Sequence, residues 1–258
     1  LGVGAISALD YAWHLMLLPQ GIFAQAVGTA VFPTFSDQGA RGDFAAMQQT
    51  LASMLRMLVV LMLPATAGMI VLGRPFIALA LERGAFSATS TDDVSIALAL
   101  FALGLVGHSL IEILARAFYA LHDTWTPAVA GIGSMVLNLL LGLSLPLLFT
   151  GVGWRAHGGL ALANALAALV EMAVLLILMQ RRIGVGLTGS LWKQSVRALV
   201  ASLGMAFLVL LWLRLGPQDL WLQSIGGLIV WGASYVLFAW LLRIDELRTA
   251  VQMVLRRR

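Results

Sequence analysis

The amino-acid sequence predicts an all-α integral membrane protein with about seven transmembrane helices. Hydrophobic residues make up 60% of its 258 positions, and charged residues make up only 11%. A soluble domain carries about 25% charged residues, so this chain has too little polar surface to be covered by water alone. Its mean hydropathy is +0.94. The apolar residues are also gathered into runs long enough to cross a bilayer.

Seven such runs follow one another along the chain, each near the ~20 residues that a helix needs to cross a bilayer. They cover residues 8–33, 51–72, 94–119, 127–149, 158–180, 196–214 and 220–242. The first run contains Pro19 and Gly21, which predict a bent helix, and Pro64 predicts a kink in the second. The runs lack the period-two alternation of lipid-facing strands, so we expect helices rather than a barrel.

The basic residues predict the orientation of these spans. With seven spans the two chain ends lie on opposite sides, and a cytoplasmic C-terminus places twelve of the sixteen Lys and Arg residues on the cytoplasmic side. The positive-inside rule therefore favours a cytoplasmic C-terminus and agrees with seven spans. The other four, on the outer side, are Arg74, Arg83, Arg155 and Arg214.

The connecting segments predict a division of the chain. Residues 181–195 are basic and contain glycine, and they are expected to form a cytoplasmic linker between five spans in 1–180 and two spans in 196–242. Residues 243–258 end in three arginines and have an amphipathic pattern, which predicts a tail helix lying on anionic membrane lipids. In the outer loop, residues 90–93 (Ser-Thr-Asp-Asp) predict a capping box for the third span.

Polar residues inside the spans are the candidates for function, because charges are costly in a bilayer. His108, Glu112 and Arg116 follow one another at intervals of four residues and share one face of the third span. They form either a polar stripe that lines a cavity or a self-satisfied ion pair with Arg116 reaching the surface. Arg56, one turn inside the second span, and Glu171, in the fifth, each have structural and functional interpretations. Asn138 and Asn164 are expected to hydrogen-bond between helices.

The sequence offers no support for enzymatic chemistry. It has no cysteine, no pair of histidines at metal-ligand spacing, no nucleophile-elbow motif and no phosphate-binding loop. We therefore expect no enzyme, no cofactor and no metal site. The basic residues lie in loops and a tail between apolar runs, which is typical of a membrane protein and not of a nucleic-acid-binding one.

Three segments resemble the MurJ/MviN family. The run from Tyr11 to Met16 (Tyr-Ala-Trp-His-Leu-Met), with Leu18 to Phe23 and Val31 to Thr34 after it, resembles that family's eighth helix. Residues 82–86 (Glu-Arg-Gly-Ala-Phe) resemble its next loop. Residues 115–127 (Ala-Arg-Ala-Phe-Tyr-Ala-Leu-His-Asp-Thr-Trp-Thr-Pro) resemble the junction of its tenth and eleventh helices. The resemblance covers nearly the whole chain, although the last two spans match in hydropathy more than in motif.

This resemblance implies a fourteen-helix transporter of the MOP superfamily, related to MATE exporters, with two lobes around a central cavity. Members move lipid II, the undecaprenyl-pyrophosphate-linked peptidoglycan precursor, across the bacterial cytoplasmic membrane by alternating access. This chain would carry helices eight to fourteen and would need the N-terminal lobe as its partner. Residues 196–242 would be the two extra helices that form a groove for the lipid tail. Because the chain opens at Leu1 and not at Met, we expect a fragment of a longer protein.

The resemblance also suggests a site. The family's Tyr-Ala-x-Arg-Leu motif has His14 where its arginine stands, which makes His14 the leading candidate for a head-group contact. Glu112, Arg116, His108 and Arg56 are the further substrate-binding candidates. The alternatives are another MOP exporter, for a polyprenyl-linked glycan or a cationic drug, and a non-transporting membrane fragment.

Overall fold

A computed structural model of the chain describes residues 4–184, 189–217 and 219–242, with the side chains of 189–191 left out. Every regular element in these ranges is helical, which confirms the predicted all-α class. In chain order the elements are α1 (Ala5–Pro19), a π-helical segment (Gln20–Gln25), α2 (Ala26–Ala40), α3 (Phe44–Leu81), α4 (Ala88–Ala102), α5 (Leu105–Ala120), α6 (Trp125–Gly151), α7 (Ala156–Ile183), α8 (Gly189–Leu215) and α9 (Leu220–Leu241).

Within the described residues, these helices give six stretches long and apolar enough to cross a membrane, and a seventh if the bent pair α4–α5 counts as one span. This agrees with the predicted seven. The predicted tail 243–258 lies outside the described residues, as do residues 185–188 of the predicted linker. On either side of that gap, α7 continues to Ile183 and α8 begins at Gly189.

The first span runs without a break from Ala5 to Ala40, over 36 residues. Pro19 and Gly21 predicted a bent helix, and at this position the structure has the π-helical segment, which starts directly after Pro19. Proline has no backbone N–H, so the carbonyl of Leu15 loses its donor and the next turn widens. The span therefore tolerates a proline in its interior.

The second span, α3, is the central helix of the bundle and contacts α4, α5, α8 and α9. Its 38 residues begin after the N-cap Asp43, whose side chain accepts a hydrogen bond from the N–H of Ala46 at 3.0 Å. Pro64 removes the N–H that would bond the carbonyl of Val60. The hydroxyl of Tyr235 on α9 donates to that carbonyl instead. Helix α9 thus replaces a hydrogen bond that the proline takes away.

The third span is not the single helix predicted over 94–119. It consists of α4 and α5, which meet at an angle of 45° around Leu103 and Gly104. A Cβ atom on Gly104 would lie 2.7 Å from the Cα of Ala165 on α7. The bend therefore accompanies a close approach of this joint to α7, which only a glycine permits.

The capping box predicted at 90–93 is wrong, because α4 begins three residues earlier than that box requires. Its N-cap is Ser87, whose hydroxyl accepts from the N–H of Ser90 at 3.4 Å. The two carboxylates bind neighbouring helices instead. Asp92 pairs with Arg74 of α3 at 2.8 Å, and Asp93 pairs with Arg155 just before α7.

Several arginines lie together at one end of the bundle. This end holds the turns after α2 and α5 and the end of α7, with Arg41, Arg181 and Arg182, and is here named the arginine-rich end. There Asp123 accepts the N–H and hydroxyl of Thr126 at 3.0 and 2.7 Å and pairs with Arg182. The N–H of Thr126, more than the neighbouring guanidinium, lowers the pKa of the Asp123 carboxyl.

Helices α8 and α9 pack on each other and on α3, apart from the α6–α7 pair on the other side of the bundle. Small residues let them approach closely: a Cβ atom on Gly68 of α3 would lie 2.4 Å from Nε1 of Trp231. This indole donates to the carbonyl of Pro64 at 3.1 Å. The last two helices are therefore joined to the bundle by specific contacts of α9.

Candidate functional site

The three polar residues predicted to form a stripe on α5 make two separate sets of contacts. Arg116 Nη2 lies 2.7 Å from Glu112 Oε1, and Nη1 donates to the Glu112 carbonyl at 3.4 Å. The two side chains are 21% and 30% exposed. His108, one turn before Glu112, instead bonds Asn164 of α7, with 3.0 Å between Nε2 and Oδ1. The predicted hydrogen bond of Asn164 between helices is thereby confirmed.

His108 also contacts an aromatic residue of the first span. The ring of Trp13 meets the imidazole edge to face, with 5.6 Å between the ring centroids. The partly buried His108 thus links α1, α5 and α7. These contacts suit a structural role for His108, and they do not involve the Glu112–Arg116 ion pair.

Arg116 is seated on α2 through a glycine that the sequence analysis did not single out. A Cβ atom on Gly28 would lie only 1.9 Å from Nη1 of Arg116 and 2.7 Å from its Cζ. Gly28 is itself buried. The guanidinium therefore occupies the space that any side chain at position 28 would need.

His14 lies on the open face of α1, away from the other candidates. Its side chain is 69% exposed, and Nδ1 lies 2.9 Å from the carbonyl oxygen of Asp10 and 3.6 Å from its Oδ1. The preceding residue, Trp13, faces inward to His108. Arg56 is half-buried on α3, between the buried Leu55 and Met57. The structure thus brings Glu112 and Arg116 together, places His14 beside Asp10 within α1, and joins His108 to Asn164 of α7.

Two apolar depressions lie on the bundle surface. One, of about 250 Å³, is formed by α1, α3, α4 and α9 and is lined by Pro19, Met69, Phe76, Leu228 and Trp231 among others. The other, of about 540 Å³, lies between α6 and α7. Its lining is apolar except for Thr126, Ser134 and Glu171.

Among the described residues, no three His, Asp or Glu side chains gather at one place. What they do offer is a partly exposed arginine side chain held by a carboxylate, and apolar depressions on the surface of the bundle. Large hydrophobic side chains are exposed along the helices, including Met135, Leu147, Phe207 and Trp240. A helical bundle with such a surface is a multi-pass membrane protein.

The comparisons with known proteins name the family. The family model described as "Lipid II flippase MurJ" matches residues 1–230. The chain is 31% identical to the probable lipid II flippase MurJ of Vibrio cholerae over 98% of its own length. It is also 31% identical, over 70% of its length, to the lipid II flippase MurJ of Burkholderia cenocepacia. The chain belongs to the MurJ family.

A solved structure agrees with this assignment. The structure titled "Lipid II flippase MurJ, inward closed conformation" matches 94% of this chain with a TM-score of 0.76 and 26% sequence identity. The match covers 48% of that structure and 49% of the Vibrio cholerae protein. The chain therefore spans about half the length of the relatives it matches.

Proposed function

We propose that this chain is the C-terminal half of a lipid II flippase of the bacterial cytoplasmic membrane. The observation that carries this proposal is the match to the MurJ family along residues 1–230. Its partner is an N-terminal lobe, and the chain covers only 49% of the Vibrio cholerae relative, which leaves room for such a lobe. The protein moves lipid II from the inner to the outer leaflet by alternating access, and it makes or breaks no covalent bond.

The head group of lipid II carries a pyrophosphate and needs cationic partners in a site that water can reach. Arg116 suits this role, because its side chain is partly exposed and its guanidinium is already positioned by a carboxylate. His14 suits it as a proton-dependent contact, since a histidine is charged for only part of the time near neutral pH. Arg56 and His108 are weaker candidates on separate helices, and Glu112 acts as the counter-ion of Arg116.

The polyprenyl tail needs an apolar surface that stays open to lipid. The depression between α1, α3, α4 and α9 offers one, because its lining residues are almost all apolar. Leu228 and Trp231 of α9 contribute to it, which supports a tail-binding role for the segment 196–242. A tail lying there runs along the same first span that carries His14.

The orientation is part of the same proposal. The arginine-rich end faces the cytoplasm, as the positive-inside rule requires, and the C-terminus lies there too. Arg116 lies four residues before the end of α5, or about 6 Å along the axis from that end. A head group arriving from the inner leaflet therefore meets Arg116 near the membrane boundary.

Transport of labelled lipid II tests the proposal directly. The full-length protein that contains this chain is reconstituted into liposomes with labelled lipid II, and exposure of the label on the opposite leaflet is followed over time. We expect movement well above that of protein-free liposomes. Movement no faster than in those liposomes would contradict the proposal.

A second candidate function is export of a cationic amphiphile. The observation that favours it is Glu171, whose carboxylate lies in the otherwise mostly apolar α6–α7 depression and would attract a positive charge. Glu171→Gln distinguishes the two functions. A lipid II flippase should keep its rate in this variant, whereas an exporter of cations should lose transport of a lipophilic cation.

A further inference from the structure

Gly28 lies against the guanidinium of Arg116 with no room for a side chain of its own. Of the described glycines, it alone would place a Cβ atom within 2 Å of another side chain, at 1.9 Å from Arg116 Nη1. The atom that it would meet belongs to the flexible end of a long side chain, and not to the backbone. A side chain at position 28 would therefore displace the guanidinium and leave the path of the helices unchanged.

The other side of the guanidinium is held by Glu112. Its Oε1 lies 2.7 Å from Nη2, and its backbone carbonyl accepts from Nη1 at 3.4 Å. The guanidinium thus lies between the backbone of α2 at Gly28 and the carboxylate of Glu112 on α5. The Arg116 side chain is still 21% exposed, so we expect an anion to reach it without first breaking the ion pair.

We infer that Gly28 is a positioning residue, which seats the Arg116 guanidinium so that the pyrophosphate of lipid II can bind it. This inference rests on the proposed function and extends it to a residue that never touches the substrate. Arginine presents its donors in a rigid planar fork, so its use against a phosphate depends on the orientation of that plane. Gly28 and Glu112 together determine this orientation.

The chain offers a matched control for a substitution at Gly28. Gly21 lies in the same span, and a Cβ atom on it would meet nothing within 4 Å. Gly21 lies in the π-helical segment and Gly28 in α2, and neither has a positive φ, so an alanine meets no backbone strain at either position. Any difference between Gly28→Ala and Gly21→Ala therefore reports the contact with Arg116.

The experiment is a double-mutant cycle on the full-length protein, with lipid II affinity as the measurement. Arg116→Ala removes a charge-assisted hydrogen bond and should weaken lipid II binding about tenfold or more. Gly28→Ala should weaken it to a similar extent, and Gly21→Ala should leave it within about twofold. The variant with both Gly28→Ala and Arg116→Ala should bind no more weakly than Arg116→Ala alone.

A second measurement separates positioning from damage to the fold. The affinity for lipid II should fall less steeply with salt in Gly28→Ala than in the parental protein, because one cation no longer faces the phosphate. A loss of affinity in Gly28→Ala that multiplies with the loss in Arg116→Ala would overturn the inference, as would an unchanged affinity in Gly28→Ala. If the parental protein itself does not bind lipid II, the proposed function fails together with the inference.

Discussion

The hydroxyl of Tyr235 offers a sharp test of how this bundle is held together. Tyr235 is 6% exposed and donates to the carbonyl of Val60, which has no donor within α3 because residue 64 is proline. Tyr235→Phe removes the donor and keeps the ring. The Val60 carbonyl is then left without a partner in a buried, apolar place.

The expected magnitude follows from this geometry. Hydrogen bonds between transmembrane helices contribute about 0.6 kcal/mol on average and about 1.7 kcal/mol at most. Because the acceptor here has no alternative donor in its own helix, Tyr235→Phe should lower the free energy of unfolding by about 1–2 kcal/mol. Tyr119→Phe, at a tyrosine that is 45% exposed, should change it by less than about 0.5 kcal/mol.

Pro64→Ala provides the decisive comparison. Alanine restores the N–H that can bond the Val60 carbonyl, so Tyr235→Phe should cost little in a protein that also carries Pro64→Ala. The assay is equilibrium unfolding of the full-length protein in detergent, for both single variants and the double variant. An equal cost of Tyr235→Phe with and without Pro64→Ala would refute the claim that Tyr235 replaces the lost bond.

Three further predictions concern packing, pH and substrate. Gly68→Ala should destabilise the protein by about 1–3 kcal/mol, since its Cβ atom would lie 2.4 Å from the Trp231 indole. Gly232→Ala, whose Cβ atom would meet nothing within 4 Å, should not destabilise it. Equal unfolding midpoints for the two variants would contradict this prediction. The lowered pKa of Asp123 means that its ionised form stabilises the fold above the unfolded pKa, and that this stability is lost as the pH falls through the folded pKa. Asp123→Asn should accordingly lower the melting temperature at neutral pH but not in strong acid. Asp37→Asn, at an exposed ion pair, should change the melting temperature little at either pH. A melting temperature lowered equally by Asp123→Asn at both pH values would contradict this prediction. In lipid II transport, His14→Ala should slow flipping, and His14→Arg should retain or raise it; a parental rate in His14→Ala would remove His14 from the site.

Much of the fold could be predicted because membrane spans are determined by local composition. Each of the seven apolar runs corresponds to a described helix or helix pair, although the ends differ. The second span was predicted to end at residue 72, but α3 continues to Leu81. Arg74 interrupts the apolar run there, but α3 continues through it, and the Arg74 side chain pairs with Asp92 on α4. Such a pairing is a tertiary contact and leaves no mark in the run itself.

The bend between α4 and α5 was missed for the same kind of reason. Gly104 looks like any glycine in an apolar run, and its role appears only when Ala165 of α7 is placed against it. At Pro19 the sequence predicted a bend, and the structure has a π-helical segment directly after this proline. The local sequence therefore indicated where the first span is irregular, but it did not indicate the bend in the third span.

The candidate site divides in a similar way. The pairing of Glu112 with Arg116 followed from their spacing of four residues, which any helix brings together. His108 shares that spacing, but its partner Asn164 lies 56 positions away on α7. Gly28 could not have been singled out, because its importance depends on where the end of a long side chain on another helix comes to rest.

The central claim, that this chain is half of a lipid II flippase, is tested most directly in living cells. The full-length protein that contains it is produced in bacteria depleted of their own MurJ, and the fraction of lipid II open to an externally added lipid II-degrading enzyme is measured. The account predicts that this fraction returns to the undepleted level and that the cells keep growing. Lipid II that stays protected, in cells whose membranes contain the protein in normal amounts, would contradict the claim.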